Sequence, residues 1–177
     1  MTTPPILLVE DEPNIVFFFR HIAEKIGITN PLHVAKDGQE ALDYLEGAGE
    51  FYNRKTHPLP GLVILDLKLP FVSGFEVLAR IRSTPGLRKL IVVMLTSSPS
   101  DADVDQAYAL GANAYLVKPM GLEKLTATLQ AIKDFWLTHN YAARLGDGPM
   151  DALEPLSAQM AIPPRHGLLA TDTTDKQ

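Results

Sequence analysis

Residues 61 to 74 read GLVILDLKLPFVSG, an unbroken apolar run from Leu62 to Leu65 that ends in a single carboxylate, Asp66. Apolar side chains at successive positions supply both faces of a strand, the pattern of a parallel strand covered by helices on either side. Such a strand opens to solvent at its carboxyl end, and Asp66 stands there. The rest of the chain is read outward from this residue.

The strand signal recurs four more times, at Pro5 to Glu10, Leu32 to Lys36, Leu90 to Thr96 and Ala114 to Lys118. Helical signals alternate with it. Pro13 suits a first helical turn, and a helix to about Gly27 has its core face at Ile15, Phe18 or Phe19, Ile22 and Ile26, leaving Val16 and Phe17 pointing elsewhere. Asp37 with Glu40, and Ser73 with Glu76, have capping-box spacing. They open helices carrying Ala41, Leu42 and Leu45, and Val77, Leu78 and Ile81. Ser100 and Asp103 start a fourth helix that closes at Gly111. A fifth, from Gly121 to about Tyr141, carries a core stripe at Leu122, Leu125, Leu129, Ile132 and Trp136, with a second stripe at Thr128, Ala131 and Phe135. The loop from Gly47 to Pro60 holds Phe51, Tyr52, Arg54, Lys55 and His57; its length fits a functional loop or a tolerated insertion.

Five strands alternating with five helices imply an α/β fold: a flavodoxin-like five-stranded parallel sheet of order 2-1-3-4-5, helices on both faces, plus a C-terminal extension. The chain of 177 residues suits one domain with an appendage. A net charge of -5 disfavours nucleic acid as a partner, and with no cysteine there is neither a disulfide nor a thiolate metal site. The first residues lack a basic signal-peptide region, and no stretch approaches the ~20 apolar residues of a membrane span. No membrane association and a cytoplasmic location are therefore expected. The five histidines, His21, His33, His57, His139 and His166, contain no i, i+4 pair and receive no metal role.

In the expected strand order the first and third strands are neighbours, so Glu10 and Asp11 come beside Asp66. Three carboxylates in one crevice recruit a cation or raise a pKa, and an all-oxygen donor set favours Mg²⁺. Thr96 ends the fourth strand, and Lys118 ends the fifth with a side chain long enough to reach back. A carboxylate nucleophile, a metal, a hydroxyl and an ammonium are the parts that phosphoryl transfer to an aspartate requires.

The stretches ILLVEDEP, VILDLKLPFVSGFEVL, VVMLTSS and GANAYLVKP resemble the receiver domains of two-component response regulators, over roughly residues 4 to 140. Through LHVAKDGQEALDYL, the loop at 51 to 57 and AIKDFWL, the chain is similar to the single-domain regulators that accompany bacterial phytochromes. The resemblance implies that Asp66 is the phosphoacceptor and that Glu10 and Asp11 organise Mg²⁺. Asp11 and Asp66 would ligate the ion directly, with the Lys68 backbone carbonyl. Thr96 and Lys118 would hold the phosphoryl group, Tyr115 would be the aromatic switch, and Lys118-Pro119 would be cis. It further implies a sensor histidine kinase docking on Val16 and Phe17. A homodimer through helix four, strand five and helix five would use Ala131, Phe135 and Trp136.

Lys68 and Ser98 depart from frequent family choices at positions that tune the access of water to the phosphoryl group. Lys68 also stands where an aspartyl-phosphate phosphohydrolase needs a second acid, which disfavours that alternative. A phosphorylation-independent scaffold would not need the full acidic and basic set. A flavin or nucleotide module is disfavoured because EDEP lacks a glycine-rich phosphate cradle. Residues 141 to 177, punctuated by Gly146, Gly148, Pro149, Pro155, Pro163 and Pro164, read as a partly disordered extension. It is too short and too poor in Lys and Arg for a DNA-binding output domain, with one helix expected at Asp151 to Ala161 and a disordered end at Thr171 to Gln177.

Overall fold

A computed structural model describes residues 3 to 141. The helix expected at Asp151 to Ala161 and the end expected to be disordered lie outside the described residues. The described chain alternates β1 (Ile6–Val9), α1 (Pro13–Lys25), β2 (Leu32–Ala35), α2 (Gly38–Glu46), β3 (Leu62–Leu65), α3 (Gly74–Ser83), β4 (Ile91–Thr96), α4 (Asp101–Ala109), β5 (Ala114–Val117) and α5 (Leu122–Ile132). A 3₁₀ turn, Gly49–Tyr52, interrupts the long loop after α2, and a π-helical segment, Lys133–His139, continues α5. The strands form one parallel sheet in the order β2-β1-β3-β4-β5, the expected topology.

The alternation of strand side chains divides the core in two. Leu7, Val9, Val63, Leu65, Val92 and Met94 face α2, α3 and α4, where Ala41, Tyr44, Leu45, Val77, Leu78, Ile81 and Ala107 meet them. Ile6, Leu8, Leu62, Ile64, Val93 and Leu95 face α1 and α5, packing on Phe19, Ile22, Leu125, Leu129 and Ile132. All four residues of β1 and of β3 are buried, which is why their sequences show no polar alternation. Each fully buried Leu, Ile or Val side chain stabilises the fold by about 1.5–3 kcal/mol relative to exposure.

The helix starts follow their sequence signals. Asp37 caps α2 by accepting from the Glu40 N–H at 2.7 Å, and Ser73 and Glu76 form a reciprocal capping box on α3. The loop after α2 closes the C-terminus of that helix, where Arg54 donates to the Tyr44 and Leu45 carbonyls at 2.7 and 2.6 Å. Its ring neighbours His33, Tyr44, Phe51 and His57 pack together beside it.

Three details differ from the sequence reading. In α1, Val16 is half-buried against the core instead of pointing away from it, while of the two candidates Phe18 and Phe19 it is Phe19 that enters. Three consecutive phenylalanines carry no periodicity to phase the helix, so packing decides. At the start of α5, Leu122 is 49% exposed, and the stripe enters the core only from Leu125 onward. The Lys118–Pro119 bond is trans, the isomer that an X–Pro bond favours by about 0.5–1 kcal/mol.

Candidate functional site

Glu10, Asp11, Asp66, Thr96 and Lys118 stand at or just beyond the carboxyl ends of β1, β3, β4 and β5. β1 and β3 pair in register, Val9 against Leu65, so Glu10 and Asp66 leave the sheet side by side. The Asp66 N–H donates to the Val9 carbonyl at 3.1 Å, continuing the ladder one step past the strand. Beyond β5, the Lys118 N–H donates to the Thr96 carbonyl at 2.7 Å and turns the lysine toward the crevice. The Gly74 N–H donates to the Leu67 carbonyl at 3.0 Å, closing the loop after β3. A Cβ at Gly74 would overlap the Asp66 carbonyl oxygen, so only glycine lets α3 start this close to the site.

Glu10, Asp11 and Asp66 each offer a carboxylate oxygen, all within 4.8 Å of one another, with Glu10 and Asp66 buried and Asp11 exposed. Lys118 Nζ lies 2.6 Å from Glu10 Oε2 and 2.6 Å from Asp66 Oδ2, a cation shared between two acids. On its other oxygen, Asp66 Oδ1 accepts from the Leu67 N–H at 2.6 Å and the Lys68 N–H at 3.4 Å. Burial raises the pKa of Glu10, the hydrogen bond and charge of Lys118 oppose that shift, and the Asp66 carboxylate adds to it. For Lys118, burial favours the neutral amine, but its bonds to Asp66 and Glu10 outweigh burial and raise its pKa. The crevice therefore holds a fixed ammonium against crowded carboxylates.

Thr96 is fully buried, and its Oγ1 accepts from the Ser98 N–H at 3.5 Å. Tyr115 points inward, its hydroxyl donating to the Ser98 carbonyl at 2.9 Å. Burial raises the Tyr115 pKa and the Ser98 bond opposes this. The sequence reading thus located Glu10, Asp11, Asp66, Thr96, Lys118 and Tyr115 in one region. Lys68 is exposed beside them. Missed was the hydrogen bond that the Ser98 hydroxyl donates to Asp103 Oδ2 at 2.5 Å.

The family model for the response regulator receiver domain matches residues 6–130. The chain belongs to that family. It is 42% identical over 138 residues to the probable methanogenesis regulatory protein FilR2 of Methanothrix harundinacea, covering 76% of this chain and 84% of the relative. It is 38% identical over 138 residues to response regulator Rcp1 of Synechocystis sp., covering 77% of this chain and 92% of Rcp1. The crystal structure of the phosphorylated cyanobacterial phytochrome response regulator RcpA superimposes with a TM-score of 0.76 at 32% identity, covering 81% of this chain and all of RcpA. The Mn(2+)-bound form of Rcp1 gives 0.73 at 35% identity over 80% of this chain and 99% of that one. The receiver is therefore a signalling protein of the two-component type, similar to stand-alone phytochrome response regulators.

The donor set fits a divalent ion. Three hard carboxylates converge, Asp11 remains open to water, and among the described residues no histidine nitrogen or cysteine sulfur joins the cluster to favour a softer metal. Among the described residues no helix is long and apolar enough to cross a membrane.

Proposed function

We propose that residues 4 to 140 form a receiver that takes a phosphoryl group onto Asp66 from a sensor histidine kinase, and that residues 141 to 177 are an appended extension. The observation that carries this reading is Asp66 itself, a buried carboxylate held between two backbone N–H groups and a shared ammonium. A carboxylate oxygen of Asp66 forms the new O–P bond as the P–N bond to the kinase imidazole breaks, and the imidazole takes up a proton. Lys118 neutralises charge on the transferring group, and the Thr96 hydroxyl donates to one of its oxygens. Glu10, Asp11, Asp66 and the Lys68 carbonyl would hold Mg²⁺, which when bound supplies further positive charge to the phosphoryl oxygens. The protein's only chemistry is on itself.

The kinase docks on α1. Phe17 is 65% exposed, stacks edge-on against the exposed Phe18 at 5.7 Å, and offers an apolar contact on the outside of the helix. Val16 serves beneath it by packing on the core. The similarity to the cyanobacterial phytochrome response regulator RcpA supports a phytochrome-type kinase as the donor. One experiment separates the roles, with the kinase and a small-molecule phosphoryl donor each supplied in turn. Asp66→Asn should accept nothing from either, while Phe17→Ala should lose about tenfold in rate from the kinase alone. Acid-labile phosphate on Asp66→Asn would overturn the reading.

A homodimer uses α4, β5 and α5. A shallow apolar groove runs between β5 and α5, lined by Leu116, Ala131 and Trp136, and Phe135 stands 57% exposed beside it. Sedimentation should give a concentration-dependent dimer that Phe135→Ala weakens; a monomer at every concentration contradicts it.

A further inference from the structure

Ser98 is 6% exposed in a loop without regular structure, yet its polar atoms are all engaged. Its N–H donates to Thr96 Oγ1 at 3.5 Å, and its carbonyl accepts from the Tyr115 hydroxyl at 2.9 Å. Its own hydroxyl donates to Asp103 Oδ2 at 2.5 Å and accepts from the Ser100 N–H at 3.4 Å. The loop after β4 is thus tied to β5 by Tyr115 and to the first turn of α4 by Asp103. The Thr96 hydroxyl oxygen accepts from Ser98, so its hydrogen must point away from Ser98 and is available to another acceptor. Of these ties, only the one to Asp103 ends on a carboxylate, the acceptor type that makes the stronger hydrogen bonds.

We propose that Asp103 is a positioning residue for phosphoryl acceptance: by holding the Ser98 hydroxyl it fixes the loop that orients Thr96, while making no contact with the phosphoryl group. This rests on Asp66 being the phosphoacceptor. Without Asp103, the Ser98 hydroxyl is left in a buried position lacking its acceptor, and the loop relaxes to relieve it. Part of the binding energy for a phosphoryl group is then spent on reordering the loop, and the observed affinity falls.

The test is the affinity of the full chain, with Mg²⁺ present, for beryllium fluoride, which mimics a carboxylate-bound phosphoryl group. Asp103→Ala and Ser98→Ala should each weaken binding by about fivefold to tenfold, within the ordinary range of coupling between sites. The double variant should be no worse than either single one, because all three break the same link. Asp103→Asn keeps an oxygen acceptor while losing the charge near the start of α4, so it should stay within about twofold of the parent. That rescue separates the Ser98 bond from the electrostatics of the helix end. A lowered melting temperature with unchanged or tighter affinity in Asp103→Ala would mean that the link is only structural and overturns the proposal, as would additive losses in the double variant. Absence of binding by the parent chain would overturn the Asp66 reading and this proposal with it; parent binding with insensitive variants overturns this proposal alone.

Discussion

Two cations sit at opposite ends of the same sheet. At the carboxyl ends of the strands, Lys118 shares its ammonium between Glu10 and Asp66, and its side chain is only 11% exposed. At the amino ends of β4 and β5, Arg82 spreads its guanidinium over the Gly111 carbonyl at 2.8 Å, the Leu90 carbonyl at 2.9 Å and Asn113 Oδ1 at 2.9 Å. Asn113 in turn accepts from the Val92 N–H at 2.8 Å, so the arginine fastens both strands and α3 together. Burial lowers the Arg82 pKa, with no carboxylate opposing it, whereas two carboxylates raise that of Lys118. Neutral carbonyls fixed in the backbone make one end a permanent staple. On the proposed reading, carboxylates that take up a metal ion and a phosphoryl group make the other end responsive. An ammonium is a movable point charge and a guanidinium a rigid fork, which matches each residue to its end.

The largest effect should come from Lys118→Ala. It leaves Glu10 and Asp66 buried without their cation, the situation that costs about 3–5 kcal/mol when one partner of a buried pair is removed. Phosphoryl uptake from a small-molecule donor should fall by about 10²–10³-fold, the usual loss when one preorganised charge-stabilising group is deleted. Mg²⁺ should recover part of the stability and little of the rate, because a cation relieves the carboxylates from a different position. Urea unfolding with and without Mg²⁺, alongside acid-labile phosphate, measures both. Normal uptake in this variant would break the comparison, since the crevice cation would then be another staple.

Arg82→Ala should behave as the inverse. Its hydrogen bonds are to backbone and amide oxygens, so its loss should cost about 2 kcal/mol of stability and leave uptake within about twofold. Arg82→Lys should not recover the loss, because one ammonium cannot span carbonyls on both strands. Mg²⁺ should make no difference to either variant beyond its effect on the parent protein. An uptake defect in Arg82→Ala would mean that the two ends are coupled through β4 and β5.

The unequal legibility of these ends follows from how each is encoded. Strands buried on both faces announce themselves as LVIL and IVVMLT, and the Ser73–Glu76 capping box is complete within four residues. The acids and Lys118 end such strands, so strand order alone brings Glu10 and Asp66 together. Arg82 was invisible because a basic residue near a helix end reads as solvated, and its carbonyl partners carry no side-chain signal. The Ser98–Asp103 link was hidden for a similar reason: its residues are common at helix starts, and only the loop's path makes them meet. The π-helical continuation of α5 depends on a shift in hydrogen-bond spacing that apolar periodicity does not report.

The smallest effect is a pH dependence confined to the responsive end. Burial holds the Glu10 pKa above its ordinary 4.5 in the folded protein. In the window between that value and the elevated one, the folded state binds more protons than the unfolded state, so this group's contribution to stability falls as pH rises. The contribution is fully present below pH 4.5 and lost as pH climbs through the folded-state pKa. Glu10→Gln cannot titrate, so relative to it the parent protein, kept in chelator, should lose urea stability as pH rises from 4.5 through that elevated value. Mg²⁺ should erase the difference by favouring the ionised carboxylate. Arg82→Ala should leave this slope untouched, because the carbonyl and amide oxygens that Arg82 binds do not titrate. A slope that vanished with Arg82 instead would place the titration at the wrong end of the sheet and undo the division between them.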